Sequence, residues 1–187
     1  NPHHALGRAI SNFAISAPPV LANGAKTSYS VGRIGGGTSI NSIAFESWME
    51  VDMRSGDQTK LDEIDAVFQN AVQMALVQEN KAKQRGENLE VEVKRVGKRP
   101  AALGDTSSSL VQRAIAATQA LGIDPSLEIS STDTNLPISK GIPAVTMSRG
   151  GSSGRAHALD EWWQDTDAYV SVQIGILTLL AEAGLSQ

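Results

Sequence analysis

The chain has 187 residues, 41% of them apolar, which is enough for a buried core in one ordinary domain or two small ones. Its net charge of -4 is mild, so the composition gives no indication of binding to nucleic acid or to an anionic membrane. It has no cysteine, which excludes disulfides and thiolate metal sites, and no apolar run of about 20 residues, the length that a transmembrane helix needs.

The first hundred residues predict the order α-β-β-α-β. Apolar residues at helical spacing predict a helix over residues 1–16, which Pro18-Pro19 ends. A strand is predicted over residues 26–34, and a second strand over residues 43–53, where apolar residues alternate with acidic ones. A turn at Gly35-Gly36-Gly37 separates the two strands.

A long helix and a further strand complete this half. Thr59 and Asp62 resemble a capping box, and the apolar stripe that follows them predicts a long helix. Leu89, Val91 and Val93 alternate with charged residues, which predicts a strand. Because the ferredoxin-like arrangement is β-α-β-β-α-β, one leading strand is missing from this half. The chain starts at Asn1-Pro2 with no signal-like segment, so we expect it to begin inside a longer gene product or after a trimmed tag.

A turn at residues 97–100 predicts a boundary between domains 1–100 and 101–187. Beyond it we expect a helix near residues 110–121 that is closed by Gly122, and a strand over Ile142–Met147 that is covered on both faces. A last apolar helix ends at Gly184. This half has α/β character and resembles the end of a larger parallel or mixed sheet.

Two short motifs are better explained by structure than by function. The glycine run at residues 32–37 lacks both nucleotide-binding fingerprints and precedes a strand, which favours a turn over a phosphate loop. His3 and His4 are adjacent on a helix and point about 100° apart, which favours a solvent-facing helix start over a metal site.

Three segments are candidates for a functional site, each with an ordinary alternative. Arg54 is either surface charge or a fork for a substrate carboxylate, and Asn41 would add an amide donor. The polar run 130–135 suits either the cap of a helix or the edge of a site. His157 follows a glycine-rich loop and precedes an acidic, aromatic segment that we interpret as the start of a helix.

His157 is the best single candidate for a metal ligand. A lone histidine is usually a surface residue or a satisfied core residue. Here Asp160 and Glu161 are positioned in the sequence to orient its ring. A zinc hydrolase needs three or four ligands per ion, so His157 alone does not make a site.

Several segments together resemble one family. They are Asn1-Pro-His-His-Ala-Leu-Gly-Arg-Ala-Ile10, Val31-Gly-Arg-Ile-Gly-Gly-Gly-Thr-Ser-Ile-Asn41-Ser-Ile, Trp48-Met-Glu-Val-Asp52-Met-Arg54-Ser, Ser131-Thr-Asp-Thr-Asn-Leu-Pro-Ile-Ser-Lys-Gly-Ile-Pro-Ala-Val and the segment around His157. Their order and spacing resemble the zinc amidohydrolases and peptidases related to aminoacylase, peptidase T, succinyl-diaminopimelate desuccinylase and glutamate carboxypeptidase.

The resemblance implies a fold and a set of roles. Residues 1–100 would be the ferredoxin-like dimerisation lid without its first strand, and residues 101–187 the C-terminal part of the α/β catalytic domain. Asn41 and Arg54 would bind substrate, and His157 would be the last zinc ligand. In this family two zinc ions activate a bridging water that cleaves the amide of a small peptide or N-acyl amino acid, and a glutamate acts as general base.

The family's other features have no counterpart in this sequence. Its His-x-Asp segment and its Glu-Glu/Asp pair, which contains the general base, precede the lid. We therefore expect a cytoplasmic, homodimeric parent enzyme, while this chain alone binds zinc weakly and is inactive. The alternative is a catalytically inactive dimerisation module.

Overall fold

The computed structural model describes residues 1–184. The chain forms both helices and strands there, so its fold class is mixed α+β. These residues form two units. Unit 1 covers Asn1–Ala102 and unit 2 begins at Leu103.

Unit 1 places its helices on one face of a two-stranded antiparallel sheet. Its elements are α1 (Pro2–Ser16), α2 (Pro18–Leu21), β1 (Thr27–Gly36), β2 (Ser47–Ser55) and α3 (Gln58–Lys81). β1 pairs with β2 along its length, and the register shifts between Val31 and Arg33, where Gly32 forms a bulge. The predicted helices and the first strand are confirmed. The second strand begins only at Ser47, because the preceding residues form an exposed loop.

Side chains at the starts of the helices explain where α1 and α3 begin. The Asn1 side chain accepts a hydrogen bond from the backbone N–H of His3, and Pro2 occupies the first turn. Asp57 caps α3 by accepting from the backbone N–H of Lys60. The capping box predicted at Thr59 is therefore wrong, because the helix has already begun at Gln58.

The core of unit 1 lies between the helices and the inner face of the sheet. The Phe13 ring is fully buried, 4.3 Å from the Tyr29 ring and 5.3 Å from the Phe68 ring, measured between centroids. The predicted stripe of α3 supplies most of the remaining buried side chains. The buried members of this core are Ala9, Phe13, Ala17, Ile64, Phe68, Ala71, Val72 and Ala75.

The segment 89–95 forms no strand among the described residues, so the strand predicted at Leu89–Val93 is wrong. It is nevertheless extended along α3. The Asn80 side chain exchanges two hydrogen bonds with the backbone of Leu89, and Arg95 donates to Asp65 at 2.7 Å. Asn80 and Asp65 are about 22 Å apart along the helix, whereas a helical run of six residues would span only about 9 Å. The residues of this alternating pattern therefore form an extended segment, but no strand of residues 1–184 is hydrogen-bonded to it.

Unit 2 pairs two helices and carries a short hairpin. Its elements are α4 (Ser109–Ala120), α5 (Asn135–Ser139), β3 (Ser152–Gly154), β4 (Trp162–Gln164) and α6 (Tyr169–Ala183). α4 packs against α6, and β3 pairs with β4 in antiparallel fashion. The predicted closure of α4 by Gly122 and of α6 by Gly184 is confirmed, since both glycines adopt a positive φ.

Two predictions for unit 2 are wrong. Ile142–Met147 is irregular rather than a strand, because Pro143 lacks a ladder donor and no strand of residues 103–184 lies beside the segment to pair with it. The segment after His157 enters strand β4 rather than a helix. Many apolar side chains of α6 are also exposed, among them Tyr169, Val172, Ile176 and Leu179.

None of the helices in residues 1–184 combines the length and the apolar character needed to cross a bilayer.

Candidate functional site

Arg54 lies near the end of β2, on the sheet face that is turned away from the helices. Its Nε donates to Asp52 Oδ2 at 2.5 Å, and both side chains are about half exposed. Residues two apart in a strand share a face, so Asp52 holds the guanidinium from the side. The Nη atoms bond to no group in the described part of the chain and remain open to a planar anion.

Asn41 lies in the exposed loop between β1 and β2. Its Oδ1 accepts from the Ser39 hydroxyl at 2.6 Å, which leaves the Nδ2 group pointing to solvent as a donor. The loop precedes Ser47, while Arg54 pairs across the sheet with Ser28. Arg54 lies seven positions beyond Ser47, about 24 Å along β2 at the usual rise, so this loop and Arg54 lie at opposite ends of the strand.

His157 lies in the loop between β3 and β4, in a strained backbone conformation. Its φ is 66° and that of Arg155 is 56°, both in the left-handed region that non-glycine residues rarely occupy. Such residues cost of order 1–3 kcal/mol each and cluster at functional sites. The ring of His157 is exposed, and its nitrogens bond to none of the residues that the structure describes.

Of the two acidic residues after His157, Glu161 bonds to its backbone and Asp160 to a neighbouring arginine. Glu161 Oε2 accepts from the backbone N–H of His157 at 3.1 Å, and Asp160 pairs with Arg155 at 2.5 Å. The predicted contact of these carboxylates with the imidazole is therefore not formed.

Within residues 1–184 no three or more histidine, cysteine, aspartate or glutamate side chains are grouped closely enough to hold a metal ion. His157 fits a zinc ligand in chemistry and exposure, but a zinc site needs at least two further ligands. The other histidines have different contacts: His3 Nδ1 lies 2.7 Å from Ser47 Oγ, and His4 Nδ1 lies 3.5 Å from Glu79. The residues present in these two units do not by themselves fit a zinc ion.

The polar run 130–135 forms a hydroxyl cluster beside α5. The hydroxyls of Thr132, Thr134 and Thr146 lie 2.6–3.0 Å from one another. The Asn135 side chain accepts from the backbone N–H of Thr132 at 2.8 Å, so the run also orders the start of α5. Thr146 was missed in the sequence, because it lies within an apolar run that suggested only a buried strand.

Glu79 was also missed, although it is the main buried carboxylate of unit 1. It accepts from the N-terminal ammonium at 2.9 Å and from Arg8 at 3.2 Å. The hydrogen bond from the ammonium lowers the pKa of Glu79 most, and the hydrogen bond from Arg8 lowers it further. Burial raises this pKa, but by less than these contacts lower it. Glu79 occupies the apolar stripe of α3, where sequence periodicity suggests only packing.

No known protein family matches this chain, and no curated protein matches it either. The resemblance to the zinc amidohydrolases therefore rests on the quoted motifs alone.

Proposed function

We propose that the chain is part of a zinc-dependent peptidase or amidohydrolase that cleaves amide bonds of small peptides or N-acyl amino acids. Residues 1–100 serve as its ferredoxin-like dimerisation lid without the first strand, and residues 101–187 as the C-terminal segment of its catalytic domain. The observation that carries the proposal is His157, an exposed imidazole on a hairpin loop whose backbone is strained at two non-glycine residues.

Each candidate residue has a defined task in this proposal. Arg54 binds the substrate carboxylate through its open Nη atoms, while Asp52 fixes the guanidinium through Nε. Asn41 donates its amide to a substrate oxygen. His157 supplies one zinc ligand. The remaining ligands and the general base belong to a part of the enzyme outside this chain, so this chain alone is inactive.

The proposal is tested on the longer parent protein, with matched controls from the same chain. His157→Ala should lower the zinc content, measured by atomic spectroscopy, while His4→Ala should leave it unchanged. Arg54→Ala should raise KM or lower kcat/KM for N-acyl amino acids by roughly 1.5–3 kcal/mol, as for a lost charged hydrogen bond. Arg33→Ala removes another ion-paired arginine of the same sheet and should leave KM and kcat/KM unchanged. A parent without zinc, or unchanged kinetics in Arg54→Ala, contradicts the proposal.

A second candidate is a catalytically inactive dimerisation module. It is favoured by β2, which in the described residues pairs only with β1 and leaves one edge open. Sedimentation of the purified chain tests this candidate, because a chain that stays monomeric at high concentration is not a dimerisation module.

A further inference from the structure

An asparagine–glycine pair lies in the turn between α2 and β1. Asn23 and Gly24 are both exposed, and Gly24 adopts a φ of +81°. A side chain at position 24 would be strained at this φ, and its Cβ would lie 2.7 Å from Cε of Lys60, so the turn requires glycine. Asparagine followed by glycine is chemically labile, because no side chain hinders attack of the glycine nitrogen on the asparagine amide.

The backbone nitrogen of Gly24 is available for this attack. Among residues 1–184 its N–H donates to no protein group, so it faces water and can lose its proton there. The ammonium of Lys60, whose side chain lies against Gly24, is ion-paired with Glu63 at 2.6 Å. The side-chain amide of Asn23 is held within the turn, because Nδ2 donates to the backbone oxygen of Pro19 at 3.0 Å.

The other asparagines lack this combination. The nitrogen after Asn88 is that of Leu89, and its N–H donates at 2.8 Å to a side-chain oxygen on α3. Asn41 is exposed, but the side chain of Ser42 hinders the nitrogen that follows it. Asn1 precedes a proline, which has no N–H. The remaining asparagines lie in helices, where the N–H of the following residue is already hydrogen-bonded, and they are Asn12, Asn70, Asn80 and Asn135.

We propose that Asn23 deamidates spontaneously in the folded chain, and that the product loosens the turn between α2 and β1. The Gly24 nitrogen, after losing its proton to solvent, forms a bond to Cγ of Asn23. The bond between Cγ and Nδ2 breaks, and Nδ2 leaves as ammonia with a proton taken from water. Water then opens the resulting succinimide ring at either of its carbonyl groups, which gives aspartate or isoaspartate at position 23.

Both products remove a contact that holds the turn. A carboxylate has no proton to donate to the backbone oxygen of Pro19, so this hydrogen bond is lost and two oxygens face each other. Isoaspartate also lengthens the main chain by one carbon shortly before β1 begins at Thr27. Because α2 contacts both α3 and β1, the change lowers the stability of unit 1. None of this depends on the hydrolase proposal.

The test uses the purified 187-residue chain, kept folded in mildly alkaline buffer. Peptide mapping by mass spectrometry locates each conversion of an amide to an acid and separates aspartate from isoaspartate. We expect both products at Asn23, a slower reaction at Asn41 and none at Asn88. Asn23→Gln keeps a side-chain amide but disfavours ring closure, so position 23 should then stay intact. The deamidated chain, separated by its additional negative charge, should unfold at a lower urea concentration than fresh chain.

Leu89→Gly is the matched control, because it gives Asn88 a following glycine whose N–H is still bonded. Asn88 should stay intact in the folded variant and react once urea unfolds it, whereas Asn23 should react in both states. The proposal is overturned if Asn23 stays intact in the folded chain or reacts no faster there than Asn41. Equal reaction of Asn88 and Asn23 in the folded variant would refute the argument from the free N–H. An unchanged urea midpoint for the deamidated chain would overturn the loosening of the turn.

Discussion

Phe13 is the residue on which the packing of unit 1 depends most, and Phe13→Ala tests that packing. Its side chain is fully buried between Tyr29 and Phe68. Burying such a ring contributes about 1.5–3 kcal/mol, and each aromatic pair adds about 0.5–1.5 kcal/mol. The sum agrees with the roughly 3–5 kcal/mol that phenylalanine-to-alanine changes cost in cores. This is a large share of the roughly 5–15 kcal/mol that stabilises a native protein.

The assay is urea unfolding followed by tryptophan fluorescence. Trp48 is in unit 1, whereas Trp162 and Trp163 are in unit 2, so replacing both of the latter by phenylalanine leaves a signal from unit 1 alone. Ile15→Ala is the matched control, because Ile15 lies on the same helix with its side chain 74% exposed. We expect a change of at most about 0.5 kcal/mol for that variant. A loss below about 1 kcal/mol for Phe13→Ala, or an equal loss for both variants, would refute the reasoning.

Three further predictions concern the ion cluster, the hairpin and the metal. In the purified 187-residue chain, the contacts of Glu79 lower its pKa. They therefore stabilise unit 1 fully above the unfolded pKa of about 4.3 and less as pH falls through the folded pKa, so Glu79→Gln should flatten the acid side of the stability profile in urea titrations of this chain. Gly151→Ala should lower the melting temperature of unit 2, because Gly151 has a φ of +71° and the added Cβ would lie 2.5 Å from the backbone oxygen of Gln164. Gly175→Ala is the control and should leave the melting temperature unchanged, since the space around its Cβ is open. The isolated chain should bind zinc weakly and hydrolyse no peptide. A stoichiometric zinc content that survives mild chelation would contradict this prediction.

The sequence predicted elements whose partners lie close along the chain, and it failed where the partner is elsewhere. The apolar stripe of α3 and the Asn1-Pro2 start of α1 are local signals, and both helices formed as predicted. The alternation at residues 89–93 is an equally clear signal, but a strand also needs a neighbour to bond to, and a neighbour is not encoded locally. The same holds for Ile142–Met147.

The candidate site was predictable only as a set of residue types. Arg54, Asn41 and His157 were proposed from their motifs, and the structure describes the surroundings of each of them. Glu161 was expected to orient the ring of His157, and sequence spacing did not reveal that it bonds to the backbone N–H of His157 instead. Glu79 escaped notice because its ammonium and guanidinium partners are more than 70 positions away in the chain.

The bulge at Gly32 has a consequence for how the hairpin tolerates changes in length. Val31 faces Val51 on the inner side of the sheet, while Arg33, after the shift in register, pairs with Glu50 on the outer side. A regular ladder through Gly32 would instead place Arg33 opposite Met49 on the inner face, and its charge would enter the core. Loss of the codon for Gly32 would leave Val31 and Arg33 adjacent and on opposite faces, so the hairpin should tolerate this deletion, and the loop around Asn41 should absorb insertions freely.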